Sequence, residues 1–158
     1  RLILSKKKMK LCFAASSGGH FEQLTMLRTL MDRYDSIVVT EKTDYAVNVP
    51  HKLYYLKQVN RHEKSFPILM IINGFISLYI MLKERPDAVI CTGVLATVPL
   101  CLLAKLLGKK LIYIESFAKI NSPTETGKLL YKYADRFYVQ WESMLKFYPN
   151  AEFIGGIY

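Results

Sequence analysis

The sequence predicts an α/β fold, a mostly parallel β-sheet with helices on both faces. Short, near-continuous apolar runs alternate with longer segments whose apolar residues recur at helical spacing, and strands buried on both faces read as such runs. The chain has 158 residues, 51% hydrophobic and 22% charged, which suits one domain with one sizeable core and excludes a disordered chain.

The elements follow in order. "LCFAAS" (11–16) reads as a buried strand. From Phe21 to Arg33, Leu24, Leu27, Leu30 and Met31 recur at helical spacing. "SIVVT" (36–40) and "KLYYL" (52–56) are strands, and the basic loop "KQVNRHEK" follows. Phe66 to Leu82 is a long apolar helix stopped by "KERPD", and "AVICTG" (88–93) is a strand ending in a turn. Thr97 to Leu107 is a helix closed by Gly108. "LIYIES" (111–116) is a strand, and "SPTETGKLLYKYA" opens a helix with Ser122 as cap, Pro123 at the first position and Glu125 completing a capping box. "RFYVQW" is a strand, Glu142 to Phe147 a short helix, and "EFIGG" a last strand. No internal repeat, low-complexity tract or linker interrupts this pattern. Residues 1–8 read as a basic N-terminal tail and 9–158 as one domain.

Residues 65–82 contain no charge over 18 positions, the lower limit for a membrane span, but Pro67, Asn73, Gly74 and Ser77 lie within them. The expectation is a helix packed between sheet and neighbours. A monotopic helix bedded partly in a bilayer is the alternative. A true span would break the alternation that completes the sheet.

The formal charge is +9, and five of the 22 basic residues (Arg1, Lys6, Lys7, Lys8 and Lys10) fall in the first ten positions without an acid. An N-terminal cluster rather than a basic face suits an anionic membrane surface at least as well as nucleic acid, or is simply a solvated tail. The base-stacking aromatic motifs of RNA modules are absent, so no nucleic-acid partner is expected. Cys12, Cys91 and Cys101 are scattered in apolar runs with no metal-ligand spacing, as expected of buried, reduced thiols in a cytosolic compartment. No secretory signal peptide is visible.

In a doubly wound sheet, ligands bind at the carboxyl ends of the strands. Those ends carry the unusual residues: "SSGGH" after the first strand, then in turn "TEKTD", "VNRH", "TGVLATVP", "ESFAKIN" and "QWE". "SSGGH" lacks the lysine of a P-loop and the spacing of a dinucleotide fingerprint. Its candidate binding residues are Ser16, Ser17, Gly18 and Gly19, the glycines letting backbone approach a ligand. His20 falls in the first turn of the next helix, where the dipole disfavours the imidazolium and keeps the ring neutral, able to accept a proton. Thr92, Gly93 and Thr97 offer hydroxyls and N–H groups to an anionic or hydroxylated ligand, or simply punctuate the strand–helix turn. Glu115, with Ser116 beside it, ends an apolar strand and either binds a sugar hydroxyl or holds a loop by accepting backbone N–H bonds. Asn60 and Arg61 are candidates for a phosphate, or a solvated loop. Trp141, the single tryptophan, is a stacking platform or core.

Five segments together carry a resemblance: "SSGGH", "KERPDAVICTGVLATVP", "GKKLIYIES", "TGKLLYKYADRFYVQWE" and "FIGGIY". From Met9 to Tyr158 the chain resembles the anchoring-subunit family of the dolichol-pathway N-acetylglucosaminyltransferase. Within it, the chain is most similar to bacterial members of capsule and exopolysaccharide synthesis, accessory subunits of β-galactosyl- or glucuronosyltransferases. More loosely, it resembles the N-terminal half of the peptidoglycan lipid-linked N-acetylglucosaminyltransferase.

The resemblance implies half of a GT-B glycosyltransferase: one Rossmann-like domain that binds a polyprenyl-diphosphate-linked sugar acceptor and the cytoplasmic face of the membrane. A separate donor-binding chain grips the UDP-sugar, so the subunit is active only in a heteromer. Gly18, Gly19 and His20 would face the acceptor diphosphate or the reacting sugar. Gly93 and Thr97 map onto a second glycine turn, and Glu115 onto an acidic position after the fifth strand. His20 is then the first candidate for the base of an inverting transfer and Glu115 the second. No cofactor and no metal are implied, since GT-B enzymes stabilise the leaving diphosphate with helix dipoles and side chains. One departure from the eukaryotic pattern is the lack of a clear N-terminal transmembrane helix: only "LILS" and lysines stand there. Membrane association then falls to the basic tail, to helix 66–82, or to both. A non-catalytic membrane scaffold is the alternative.

Overall fold

The computed structural model describes residues 8–16, 18–44 and 48–157. Seven strands run in one direction: β1 Lys10–Ala15, β2 Asp35–Lys42, β3 Lys52–Lys57, β4 Ala88–Cys91, β5 Lys110–Ile114, β6 Arg136–Val139 and β7 Glu152–Phe153. Their order in the sheet is β3-β2-β1-β4-β5-β6-β7. The chain starts in the middle, builds outward through β2 and β3, returns beside β1 with β4, and builds outward again. The order reverses between β1 and β4, and in open α/β sheets of this kind ligands bind outside the carboxyl ends of the strands at that reversal.

Alternation along the strands divides the core into two layers. Leu11, Phe13, Ala15 and Val38 face one side, with Leu24 and Met31 of helices α1 (Gly19–Thr25) and α2 (Arg28–Arg33). Cys12, Ala14, Ile37 and Val39 face the other, under α3 (Phe66–Glu84), α4 (Val98–Leu106) and α5 (Glu125–Leu130). Phe13 and Tyr113 have no exposed surface. Burying a side chain of that size contributes roughly 1.5–3 kcal/mol.

The helix ends follow local chemistry. Pro67 and Pro99 stand in the first turns of α3 and α4, where a missing N–H costs nothing. After α4, the N–H groups of Gly108 and Lys109 donate to the carbonyls of Lys105 and Ala104 at 3.1 and 2.8 Å. Gly108 supplies the left-handed φ of +74° that this Schellman closure needs.

Four differences from the sequence reading have a local cause. The expected helix from Phe21 to Arg33 is two short helices. The Thr25 hydroxyl bonds back to the Glu22 carbonyl at 2.7 Å, and the turn tightens to i→i+3 bonds at Leu27 and Leu30. The cap of α5 is Thr124, not Ser122: its Oγ1 accepts from the Gly127 N–H at 2.8 Å, so Glu125 is the first helical residue and closes no capping box. The sixth strand stops at Val139, freeing Gln140 for other bonds. β7 keeps only Glu152 and Phe153, because Gly155 turns the chain with a φ of +76°.

At the amino end of the sheet, Glu84 closes α3 onto the strands. Its carboxylate accepts from Lys10 Nζ at 2.5 Å, from Lys52 Nζ at 2.6 Å and from the Tyr54 hydroxyl. Burial acts to raise its pKa, but these donors outweigh it and hold the group down at about 2.

Candidate functional site

Parallel strands bring every carboxyl end to one edge, so the polar segments after β1 to β6 converge there. After β1, Ser16 is buried and Gly18 adopts φ +94° as the residue before α1, a backbone that favours glycine although open space surrounds it. Gly19 begins α1 and His20 lies in its first turn. Ser17 lies outside the described residues, as does the His20 side chain.

After β4 a second turn forms. Gly93 has φ +128° and Val94 φ +89°, a conformation that a β-branched residue rarely holds. The Thr92 N–H donates to Ala14 O at 3.1 Å, tying this turn to β1. Thr97 was expected either to offer its hydroxyl to a ligand or to punctuate the turn. It is fully buried, and Oγ1 donates into its own turn, to Val94 O at 2.7 Å and Gly93 O at 3.3 Å. Its part is to brace the strained turn.

Glu115 follows β5, and the structure decides between its two readings. Oε1 accepts from the Ser116 N–H at 3.0 Å and the Thr124 hydroxyl at 2.8 Å. Oε2 accepts from the Thr124 N–H at 3.2 Å and the Tyr148 hydroxyl at 2.6 Å. With the residue 1% exposed and both oxygens accepting from internal donors, this carboxylate organises a loop, the second of the two readings. Burial first, and the carboxylate second, push the Tyr148 phenol far above its usual range, so it stays a donor. Gly127 makes the packing feasible: a Cβ there would stand 2.3 Å from Glu115 Oε2 and 2.7 Å from the Tyr148 hydroxyl oxygen. Ser116 is likewise spent locally, its Oγ accepting from the Ala118 N–H at 3.3 Å.

Two glutamines that the sequence reading did not single out hold the edge together. Gln140 Nε2 donates to Gln23 Oε1 and to the Glu115 carbonyl, each at 2.9 Å. Gln23 Oε1 also accepts from the Phe117 N–H at 3.1 Å, and Gln140 Oε1 from the Ile157 N–H at 3.1 Å. Trp141 is half-buried against Phe117, with ring centroids 5.0 Å apart, and its Nε1 donates to the Phe117 carbonyl at 2.6 Å. It serves as a loop clamp.

Asn60 and Arg61 lie on an exposed loop. Asn60 Oδ1 accepts from the His62 N–H at 3.0 Å, closing its own turn. Arg61 Nη1 comes within 4.0 Å of Glu125 Oε1, so the loop after β3 reaches the start of α5 across the sheet edge.

Helix α3 differs most from expectation. It was expected to be packed between sheet and neighbours. Its polar residues Asn73, Ser77 and Glu84 face inward, while Ile68, Ile71, Phe75, Tyr79 and Leu82 form an outward stripe at helical spacing. Phe75 is 70% exposed and Ile68 64%. Asn73 belongs inside because its amide bonds both the N–H and the carbonyl of Lys57, at 2.7 and 2.9 Å. Between α3 and α4 runs an apolar groove of about 520 Å³, lined by Ile71, Phe75, Leu78, Pro99, Leu103 and Leu106. The helix is long and apolar enough to cross a membrane by length and composition.

The fold places the chain in a structural class first. It superposes on Acinetobacter baumannii MurG with a TM-score of 0.68 at 18% identity, covering 85% of this chain and 42% of that one. It superposes on the UDP-N-acetylglucosamine 2-epimerase of Rickettsia bellii with a TM-score of 0.71 at 13% identity, covering 90% and 41%. The chain thus spans about two fifths of these solved structures, and at such identities the likeness is one of fold: a Rossmann-like parallel sheet with helices.

Sequence then narrows the class. Residues 39–157 match the family described as "Oligosaccharide biosynthesis protein Alg14 like", and the chain belongs to that family. The UDP-N-acetylglucosamine transferase subunit ALG14 of Yarrowia lipolytica is 30% identical over 172 residues, covering 92% of this chain and 80% of that protein. Its Candida albicans counterpart is 41% identical over 179 residues, covering 97% and 82%, and that of Mus musculus 27% over 186, covering 98% and 86%.

Proposed function

We propose that this chain is the acceptor-side, membrane-associated subunit of a two-component glycosyltransferase. It binds a polyprenyl-diphosphate-linked sugar and recruits a separate chain that holds the UDP-sugar. Relatives named as UDP-N-acetylglucosamine transferase subunits support the role of subunit. The observation that carries the reading is the convergence of two glycine turns, at Gly18 and at Gly93–Val94, on the reversal point between β1 and β4. Backbone there can approach a diphosphate closely. Residues 9–158 form the acceptor-binding domain, and the pathway is surface-polysaccharide synthesis in a bacterium.

In the reaction, an acceptor hydroxyl attacks the anomeric carbon of the UDP-sugar, UDP departs, and a base takes the proton, inverting the configuration. Gly18, Gly19 and His20 face the acceptor diphosphate or the reacting sugar. Of the two bases expected from sequence, Glu115 is occupied by its loop, while His20 stands in the first turn of α1, beside the glycines. The donor groups lie on the partner chain.

The outward stripe of α3 supports contact with the cytoplasmic face of the membrane. Exposed Lys57, Arg61 and Lys64 precede it and Lys83 and Arg85 follow it, a basic rim around an apolar strip that suits anionic headgroups. Lys83 Nζ bonds the Tyr79 hydroxyl at 3.0 Å, a pairing suited to the interface. The internal commitment of Thr97, Ser116 and Glu115 favours, as a second reading, a membrane scaffold without chemistry.

Binding measurements on the isolated chain test the proposal. A polyprenyl-diphosphate sugar in detergent micelles should bind, and UDP-sugars should bind weakly or not at all. Tight binding of a UDP-sugar without acceptor binding would overturn it.

A further inference from the structure

Buried side-chain oxygens ordinarily find partners. Among the described residues three side-chain oxygens lie sealed from solvent without a hydrogen-bond partner: Thr40 Oγ1, Glu41 Oε1 and Ser77 Oγ. Two of them belong to adjacent residues at the carboxyl end of β2, on the edge where the glycine turns meet. Glu41 is 5% exposed. It sits opposite Leu56 of β3 and, since Ala15 pairs with Thr40, beside Ser16 at the end of β1. Alternation with Ile37 and Val39 turns it toward the α3–α4 layer.

The charges on that face gather at the amino end of the sheet, where Lys10 and Lys52 bond Glu84. Residues 66–78 of α3 and the turn Leu95–Thr97 carry no titratable side chain, and besides Lys10 and Lys52 the titratable groups of β1, β3 and β4 on that face are the thiols of Cys12 and Cys91 and the Tyr54 phenol, which bonds Glu84. Burial alone raises the Glu41 pKa to about 7. A carboxyl with an unused oxygen, next to the reversal point of the sheet, has the placement of a group that waits for a ligand hydroxyl.

We infer that Glu41, rather than His20, accepts the proton of the attacking acceptor hydroxyl. This rests on the reading of the chain as the acceptor half of a glycosyltransferase. The carboxylate takes the proton, the freed oxygen forms a bond to the anomeric carbon, and the bond from that carbon to UDP breaks. The leaving diphosphate carries away the electron pair. His20 keeps a binding role in the glycine turn.

The test uses the two-chain complex, with transfer to a polyprenyl-diphosphate sugar measured across pH for wild type, Glu41→Gln, Glu41→Asp and His20→Gln. General-base loss costs about 100-fold or more, so Glu41→Gln should lower kcat/KM by at least that and abolish the acid limb of its pH profile. Glu41→Asp should keep the limb with part of the rate, and His20→Gln should keep it too. Partner capture should be unchanged. The folded pKa of Glu41 is raised, so its stabilising effect is present below the unfolded value near 4.5 and is lost as pH rises through about 7. Glu41→Gln should therefore melt no lower than wild type at pH 8. Turnover of Glu41→Gln within about threefold of wild type, or loss of the acid limb in His20→Gln instead, overturns the inference alone. A wild-type complex without transfer overturns the underlying reading and this inference with it.

Discussion

Gln140 Nε2 donates to Gln23 Oε1 at 2.9 Å, joining the end of β6 to helix α1 across 117 positions of sequence. Both residues are buried, at 3% exposure, and the same two amides also hold the backbone at Glu115, Phe117 and Ile157. This pair fixes the loop after β5 against the helix that opens with the glycine turn.

Replacing either glutamine with leucine strands buried donors and acceptors, at a cost of about 1–3 kcal/mol. The expected fall in Tm is about 3–10 °C by calorimetry. The double variant should cost less than the sum, because each single change orphans the other's partner. Additive losses would show that the two side chains act independently.

Gly127→Ala forces a methyl against the Glu115 carboxylate, which four donors hold in place. Overpacking of this kind costs about 1–3 kcal/mol. Chemical denaturation should report a lower midpoint with an unchanged m-value. A neutral substitution would mean that the carboxylate moves freely.

Glu84 sets an acid limit on stability. Its folded pKa is depressed to about 2, so the stability it contributes is fully present above the unfolded value near 4.5 and is lost as pH falls through about 2. Glu84→Gln should lower Tm at pH 7 by leaving Lys10 and Lys52 without a carboxylate, and should flatten the fall between pH 4.5 and 2. An unchanged acid profile in the variant would remove Glu84 from that role.

Phe75→Asp and Ile71→Asp place a charge on the outward stripe of α3. Surface changes away from packing move stability by about 0.5 kcal/mol or less, so folding should survive. Sedimentation with vesicles of anionic phospholipid should fall at least about tenfold, since a carboxylate replaces buried apolar area and repels the headgroups. Equal binding by both variants would exclude α3 from membrane contact.

Much of the fold was legible because buried parallel strands leave plain apolar runs: "LCFAA", "SIVVT" and "AVIC" are strands within a residue or two of the reading. The glycine turns could be placed because positive φ selects glycine. What sequence could not supply is which way a polar side chain turns. Thr97, Ser116 and Glu115 look the same as residue types whether they meet a ligand or their own loop, and only the positions of Val94 O, Ala118 N and Thr124 decide. Helix α3 misled for a related reason. An all-apolar run hides which face is buried, and the two polar positions of the run that face inward, Asn73 and Ser77, read as interruptions. Glu41 stood inside "TEKTD" among other charged residues, and nothing in that string marks one carboxyl as buried and unpaired.

Co-expression with the donor-binding chain tests the central claim most directly, by measuring transfer from a UDP-sugar to a polyprenyl-diphosphate sugar on membranes. The account expects turnover from the pair and none from either chain alone, with Gly18→Val in this chain abolishing turnover while the pair still assembles. Full turnover by the partner chain alone, or by a pair carrying Gly18→Val, would contradict it.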